Sequence, residues 1–402
     1  MNKIKAIEKK RNFIKDAFVA VFVVIFMFYI ISYPEKSVDF VIKALNLCYI
    51  IIIPSIFPFL IISKLFFNSP LFNIISKLLN KPAKFIFNIQ GEYTNAFLLG
   101  SIAGFPLGAK SAGDIYAANK HTKSEAERTL AFCNNCSAPF IIAAAGVAVF
   151  GSAGIGLVLF FTQVISALFT GIIIRFLFKD KIVAADFAHT RKYKQDKKNT
   201  ADLPSVISEA VTGILNICGI IIFFYMVINI FLEMLGAVFF VAHNQAVYNA
   251  VKIAVSGFLE ISSGIYSLVN LDLPLSQKLI IASAILSWSG VSVHFQIIYV
   301  LKNTGLSLKP YFTGKIIHVI ISSVIIKILF SFNSISVMCQ TAYAPMLTLD
   351  SYDVYMASLV VTGIVSGITV FVIVFAALCF YFYEKRSPGR KKFRYAEIKD
   401  NE

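Results

Sequence analysis

Long apolar runs alternate along the chain with short polar or basic pieces, and the runs are of two kinds. Residues 17–31, 38–63, 154–178, 206–235, 310–332 and 354–382 are continuously apolar and approach or exceed the roughly 20 residues a helix needs to cross a bilayer. Residues 97–118, 129–150, 241–270 and 276–300 are as apolar at their ends but carry glycine, proline, amides, hydroxyls or charge at their centres. A helix facing lipid gains nothing from such a centre. Irregular backbone at that depth is tolerated only where protein or a water-filled cavity shields it.

Each interruption has its own form. In 97–118 the break is Gly104-Phe105-Pro106-Leu107-Gly108, followed by Lys110 and Asp114, which predicts a re-entrant hairpin. The polar piece 119–128 follows, with Ser124-Glu125-Ala126-Glu127 read as a helix start. Residues 129–150 hold Cys133-Asn134-Asn135-Cys136-Ser137-Ala138-Pro139, the signature of an unwound crossing helix. In 241–270 the break is Ser256-Gly257-Phe258-Leu259-Glu260-Ile261-Ser262-Ser263-Gly264, a second hairpin. In 276–300 it is Ser287-Trp288-Ser289-Gly290-Val291-Ser292-Val293-His294. Pro54 and Pro58 predict a kink in 38–63, and 65–84 reads as an amphipathic interfacial segment.

Charge placement orients these runs. Basic residues gather at Lys3 to Lys15, in the loop from Lys179, and after Glu384, which puts both termini and that loop in the cytoplasm. The expected fold is an all-α polytopic membrane protein of about eight transmembrane helices plus two re-entrant hairpins, arranged as an inverted repeat. Its parts are 1–37 (basic segment and first helix), 38–178 (first repeat), 179–205 (basic loop), 206–332 (second repeat) and 333–402 (last helix and tail). The repeat rests on order and spacing: Asn46-Leu47-Cys48 parallels Asn216-Ile217-Cys218. Gly104 precedes Asn134 by 30 residues (134 − 104), and Gly257 precedes Trp288 by 31 (288 − 257). Inverted repeats with broken helices meeting near the midplane are an architecture of secondary transporters.

Composition agrees: 57% hydrophobic and 15% charged, with mean hydropathy +0.75, against about 25% charge in soluble domains. The net charge of +15 flanks the spans, with no nucleic-acid-binding motif beside it. Cys133 and Cys136 form a CxxC without a second ligand pair, so they read as packing residues, and no metal or cofactor is expected. No HExxH, GxSxG or P-loop is present, and catalysis is not expected. The candidate substrate-binding residues are Lys110, Asn134, Asn135 and Ser137 in the first half, and Glu260, Ser262, Ser263, Ser289 and His294 in the second. Asn supplies donors and acceptors, and an intramembrane carboxylate is a functional candidate by default, here against a structural pairing with Lys252. A coupling ion, H+ or Na+, is the remaining expected requirement.

At Gly104–Lys110, Ala131–Asn135, Phe258–Gly264 and Ser289–His294 the sequence resembles the sporulation integral membrane protein YlbJ family, of the nucleoside-recognition Gate domain group. The group is similar in core to concentrative nucleoside transporters. The resemblance implies two hairpins and two unwound helices around a solute, a place in the membrane of a sporulating cell, and dipicolinate, an aromatic dicarboxylate, as solute. Lys110, His294 and Asn134 would suit that dianion, whereas Glu260 would suit the ribose hydroxyls of a nucleoside. A non-transporting receptor or scaffold for the spore envelope is the other implied class. The expected partners are a small molecule, the bilayer and, as in Gate-type transporters, further copies of the chain.

Overall fold

The computed structural model describes residues 2–67, 70–118, 122–178, 202–236, 245–269, 271–332 and 339. The expected last helix 354–382, most of the basic loop and the basic tail lie outside them. All regular structure among the described residues is helical. Five helices there are long and apolar enough to cross a membrane: Pro34–Phe66, Ala153–Leu177, Leu203–Gly236, Leu275–Leu301 and Lys309–Phe330. Helix α1 (Asn2–Ser32) presents Val24, Phe28 and Ile31 outward, and the other long helices expose Leu215, Phe231, Ile316 and Ile320. Apolar side chains exposed on this scale form a lipid-facing surface, not a soluble one.

The second span begins as α2 (Pro34–Leu47), passes through a π-helical stretch (Cys48–Ile52) and continues as α3 (Ile53–Phe67). The wider turn lies just before Pro54, and Pro58 sits within the helix that follows. The chain then forms α4 (Pro70–Phe87), α5 (Thr94–Ile102), α6 (Leu107–Ala117) and α7 (Lys123–Leu130). Thr122 caps α7 in a reciprocal capping box with Glu125, two residues upstream of the predicted start at Ser124. Residues 131–137 are unwound, and Phe140–Val149 follows as a π-helix buried on every side.

Helices α8 (Ala153–Leu177) and α9 (Leu203–Gly236) are uninterrupted. Beyond them α10 (Gln245–Leu259) and α11 (Ile261–Ser267) break at Glu260, and α12 (Leu275–Trp288) and α13 (Val291–Leu301) break at Ser289-Gly290. Helix α14 (Lys309–Phe330) packs along α8 and α12. The principal core joins the two halves. Leu47, Ile52, Phe140 and Ile142 from the first half pack with Ile214, Cys218, Ile261 and Ile285 from the second.

Two glycine pairs set how tightly the broken segments fold back. A Cβ on Gly108 would lie 3.0 Å from Gly100 Cα and 2.1 Å from Cys133 O. A Cβ on Gly264 would lie 2.4 Å from Gly257 Cα. Only glycine permits backbone to approach backbone this closely. Gly264→Val is therefore expected to lower the stability of the detergent-solubilised protein by about 2–3 kcal/mol in thermal unfolding. Gly219→Ala, where a Cβ meets nothing within 4 Å, should leave the transition in place.

Candidate functional site

The two fold-backs each seat their tip on a broken helix. Gly104 turns with φ +86°, and a Cβ there would lie 2.8 Å from Ser137 Cβ, so the α5–α6 tip rests on the unwound stretch 131–137. In the other half Gly290 (φ +81°) leaves 3.1 Å between its would-be Cβ and Glu260 Cα, so the α10–α11 tip rests on the α12–α13 break. Ser289 beside it adopts φ +75°, a left-handed conformation that costs a non-glycine residue free energy and is held by its surroundings.

Several polar side chains at these breaks have a definable local task. Asn135 Nδ2 donates to Ser101 Oγ and to Phe132 O, both at 3.0 Å, tying the unwound stretch to α5. Asn134 Nδ2 donates to Leu130 O at 3.0 Å. Ser137 Oγ accepts from the Phe140 amide at 3.4 Å. The Glu260 carboxyl group accepts from the Ser262 amide at 2.9 Å and the Ser263 amide at 2.6 Å, capping α11 at its N-terminus. Among the described residues no ion pair joins it to Lys252.

The residue that joins the two breaks is Lys315 of α14. Its ammonium donates to Asn134 O at 2.6 Å, to Ser289 Oγ at 2.8 Å and to Ser287 O at 3.2 Å. One side chain thus spans the unwound stretch of the first half and the break of the second. Gln163 of α8 reaches across in the opposite sense: Nε2 donates to Ser283 O and Oγ, and Oε1 accepts from Ser287 Oγ at 3.0 Å. The His318 ring nitrogen Nε2 lies 3.1 Å from Gln163 O. His294 Nδ1 meets Tyr311 Oη at 2.7 Å, with Trp288 edge-on at 4.5 Å between ring centres.

Of the residues predicted from sequence, Asn134, Asn135, Ser137, Glu260, Ser262, Ser263, Ser289 and His294 are buried about these two breaks. Lys110 is not brought to them: it is exposed on α6, one turn before the exposed Asp114, and the two close no ion pair. Lys315, Gln163, Tyr311 and His318 are additions from the structure. At the predicted site residues four buried polar atoms, Asn134 Oδ1, Asn135 Oδ1, Ser263 Oγ and His294 Nε2, find no partner among the described residues. Buried polar atoms rarely stay unpaired, and others without a partner, such as Tyr29 Oη and Thr162 Oγ1, lie away from the breaks.

Substitution tests the Glu260 cap. Glu260→Ala should cost about 2–3 kcal/mol in thermal unfolding, with Glu260→Gln between it and the parent because one carbonyl acceptor remains. A variant as stable as the parent would mean that the carboxylate does not cap the helix.

No family model and no solved structure matches the chain. The chain is 26% identical over 327 residues to Sporulation integral membrane protein YlbJ of Bacillus subtilis (strain 168), a match covering 75% of this chain and 79% of that protein. All four motifs that carry the sequence resemblance fall on the breaks described above. With its apolar spans, its lipid-facing surface and this similarity to an integral membrane protein, the chain is a multi-pass membrane protein that resembles YlbJ over three quarters of its length.

Proposed function

We propose that the chain is a secondary transporter of a small polar or anionic aromatic metabolite, working by alternating access between two inverted repeats. The observation that carries this reading is the meeting of two interrupted helices, one from each half, at a buried lysine. A purely structural membrane protein has no use for two unwound spans at one level, since each exposes backbone groups that lipid cannot satisfy. Broken helices that expose such groups at depth serve solute binding in transporters.

The repeat reading takes α5–α6 and α10–α11 as re-entrant hairpins inside repeats 38–178 and 206–332. Its support is pairwise. Each hairpin folds back over a glycine pair, and each tip lies on its own half's broken helix. The Cys48 thiol approaches Cys218 O at 4.0 Å, so the matched Asn-x-Cys positions of the two halves meet, as positions near a two-fold axis do. Lys315, Asn134, Ser287 and Ser289 are all nearly inaccessible, which corresponds to an occluded state of the cycle.

For the solute, the positive charge at Lys315, with no carboxylate paired to it among the described residues, favours an anion through its field although its three N–H groups are engaged, and the cluster of Trp288, Tyr311 and Phe312 packed about His294 sets aromatic surface beside it. Dipicolinate, which the family resemblance implies, is both anionic and aromatic. The relative's name attaches it to sporulation, and the same setting, with the membrane around the forespore, is proposed for this chain. A nucleoside would draw on Glu260 for its ribose, but both carboxylate oxygens already accept backbone amides.

Reconstituted vesicles test the reading. The full-length protein should accumulate radiolabelled dipicolinate saturably, and Asn134→Ala should lower the rate about tenfold while remaining folded. Equal flux in the variant would remove Asn134 from the path. Solute binding without flux would replace the transporter by a receptor or scaffold.

A further inference from the structure

The surroundings of the Lys315 ammonium are those of a bound cation, not those of a salt bridge. Its three partners are all neutral oxygens: Asn134 O from the unwound stretch, Ser287 O from the last turn of α12, and Ser289 Oγ from the break itself. Carbonyls at a helix C-terminus lack intrahelical donors and carry the negative end of the helix dipole, so they suit a positive charge. The Tyr311 ring centre lies 6.0 Å from Nζ, adding a weakly cation-attracting face. Its titratable neighbours are Cys133, Cys136, His294 and His318, and among the described residues no carboxylate pairs with it. Glu260, the nearest candidate by chain logic, is committed to the α11 amides.

Such a cage of unwound-helix carbonyls and a hydroxyl is hard-oxygen chemistry of the kind that holds a monovalent metal ion. Here the ammonium fills it, and three donors meet three acceptors. We infer that Lys315 is a built-in cation occupying a sodium-like cage at the crossing of the two halves, so that this cage takes no metal ion while the lysine is present. Between the two coupling ions open from the sequence, sodium is thereby excluded from this position. The inference rests on the transporter reading for its consequence on flux, but not for the cage itself.

The test uses the full-length protein in detergent, with sodium chloride, methylammonium chloride or choline chloride at equal ionic strength. The parent should melt at the same temperature in all three. Lys315→Ala, prepared in methylammonium, should melt several degrees lower in choline and regain most of that loss in sodium or methylammonium. Lys315→Met, which fills the space without a charge, should not respond. If Lys315→Ala is not recovered folded, Ser289→Ala serves instead: with one oxygen missing and the lysine retained, it should melt lower in all three salts equally. A parent stabilised by sodium over choline overturns the inference, as does a Lys315→Ala protein indifferent to both small cations, or a sodium-responsive Ser289→Ala. In vesicles, parent flux should be the same in sodium and choline. Absence of any flux together with the expected melting response would remove the transporter reading and leave the cage standing.

Discussion

Everything at the centre of this molecule depends on one buried cation held by neutral oxygens. A charge taken out of water without an opposite charge costs several kcal/mol unless its hydrogen bonds are fully remade. Lys315 meets that requirement with two backbone carbonyls and one hydroxyl, each freed because a helix stops there. The breaks in the helices and the lysine therefore explain one another. Without the breaks the ammonium would lose its acceptors, and without the ammonium the carbonyl of Asn134 and the carbonyl of Ser287 would each lose a charged donor.

The rest of the fold brings those groups together. The glycine pairs Gly100/Gly108 and Gly257/Gly264 let each fold-back close to backbone contact, and Gly104 and Gly290 let each tip touch its broken helix. Helix α14 carries Lys315 into the crossing because Gly314, immediately before it, lies against Ala131, where a Cβ would come within 2.3 Å of the carbonyl oxygen. Gln163 and His318 then cross-link α8, α12 and α14 through groups that have no water to turn to. The halves are thus held by a continuous polar seam inside an apolar core.

Much of this was legible in the sequence, for a physical reason. Interrupting an apolar run is costly in lipid, so Gly104–Gly108, Asn134–Ser137, Glu260 and Ser289-Gly290 announce themselves against their flanks, and all four prove to be helix breaks. Where Pro54 and Pro58 predict a kink, the helix widens into a π-helical stretch just upstream, a feature of backbone geometry that no residue signal announces. Lys110 attracts notice by following a break, yet the turn of α6 carries it outward to an exposed face. Lys315 shows the converse. Set between Gly314 and Ile316 in an otherwise apolar run, it reads as part of a plain span, although an ionisable residue six positions into a 22-residue apolar helix was itself the signal. Its partners come from 26, 28 and 181 positions away, which no local pattern reveals.

The central claim is that this buried crossing opens in turn to the two sides of the membrane. Ser137, beneath the Gly104 tip, is the position to probe, as Ser137→Cys in a chain whose six native cysteines are replaced. Labelling by a membrane-impermeant thiol reagent would be followed in right-side-out and inside-out vesicles. Modification from both sides, slowed on both by an aromatic dicarboxylate, is the predicted result. A thiol reached from one side only, or from neither, would contradict the account.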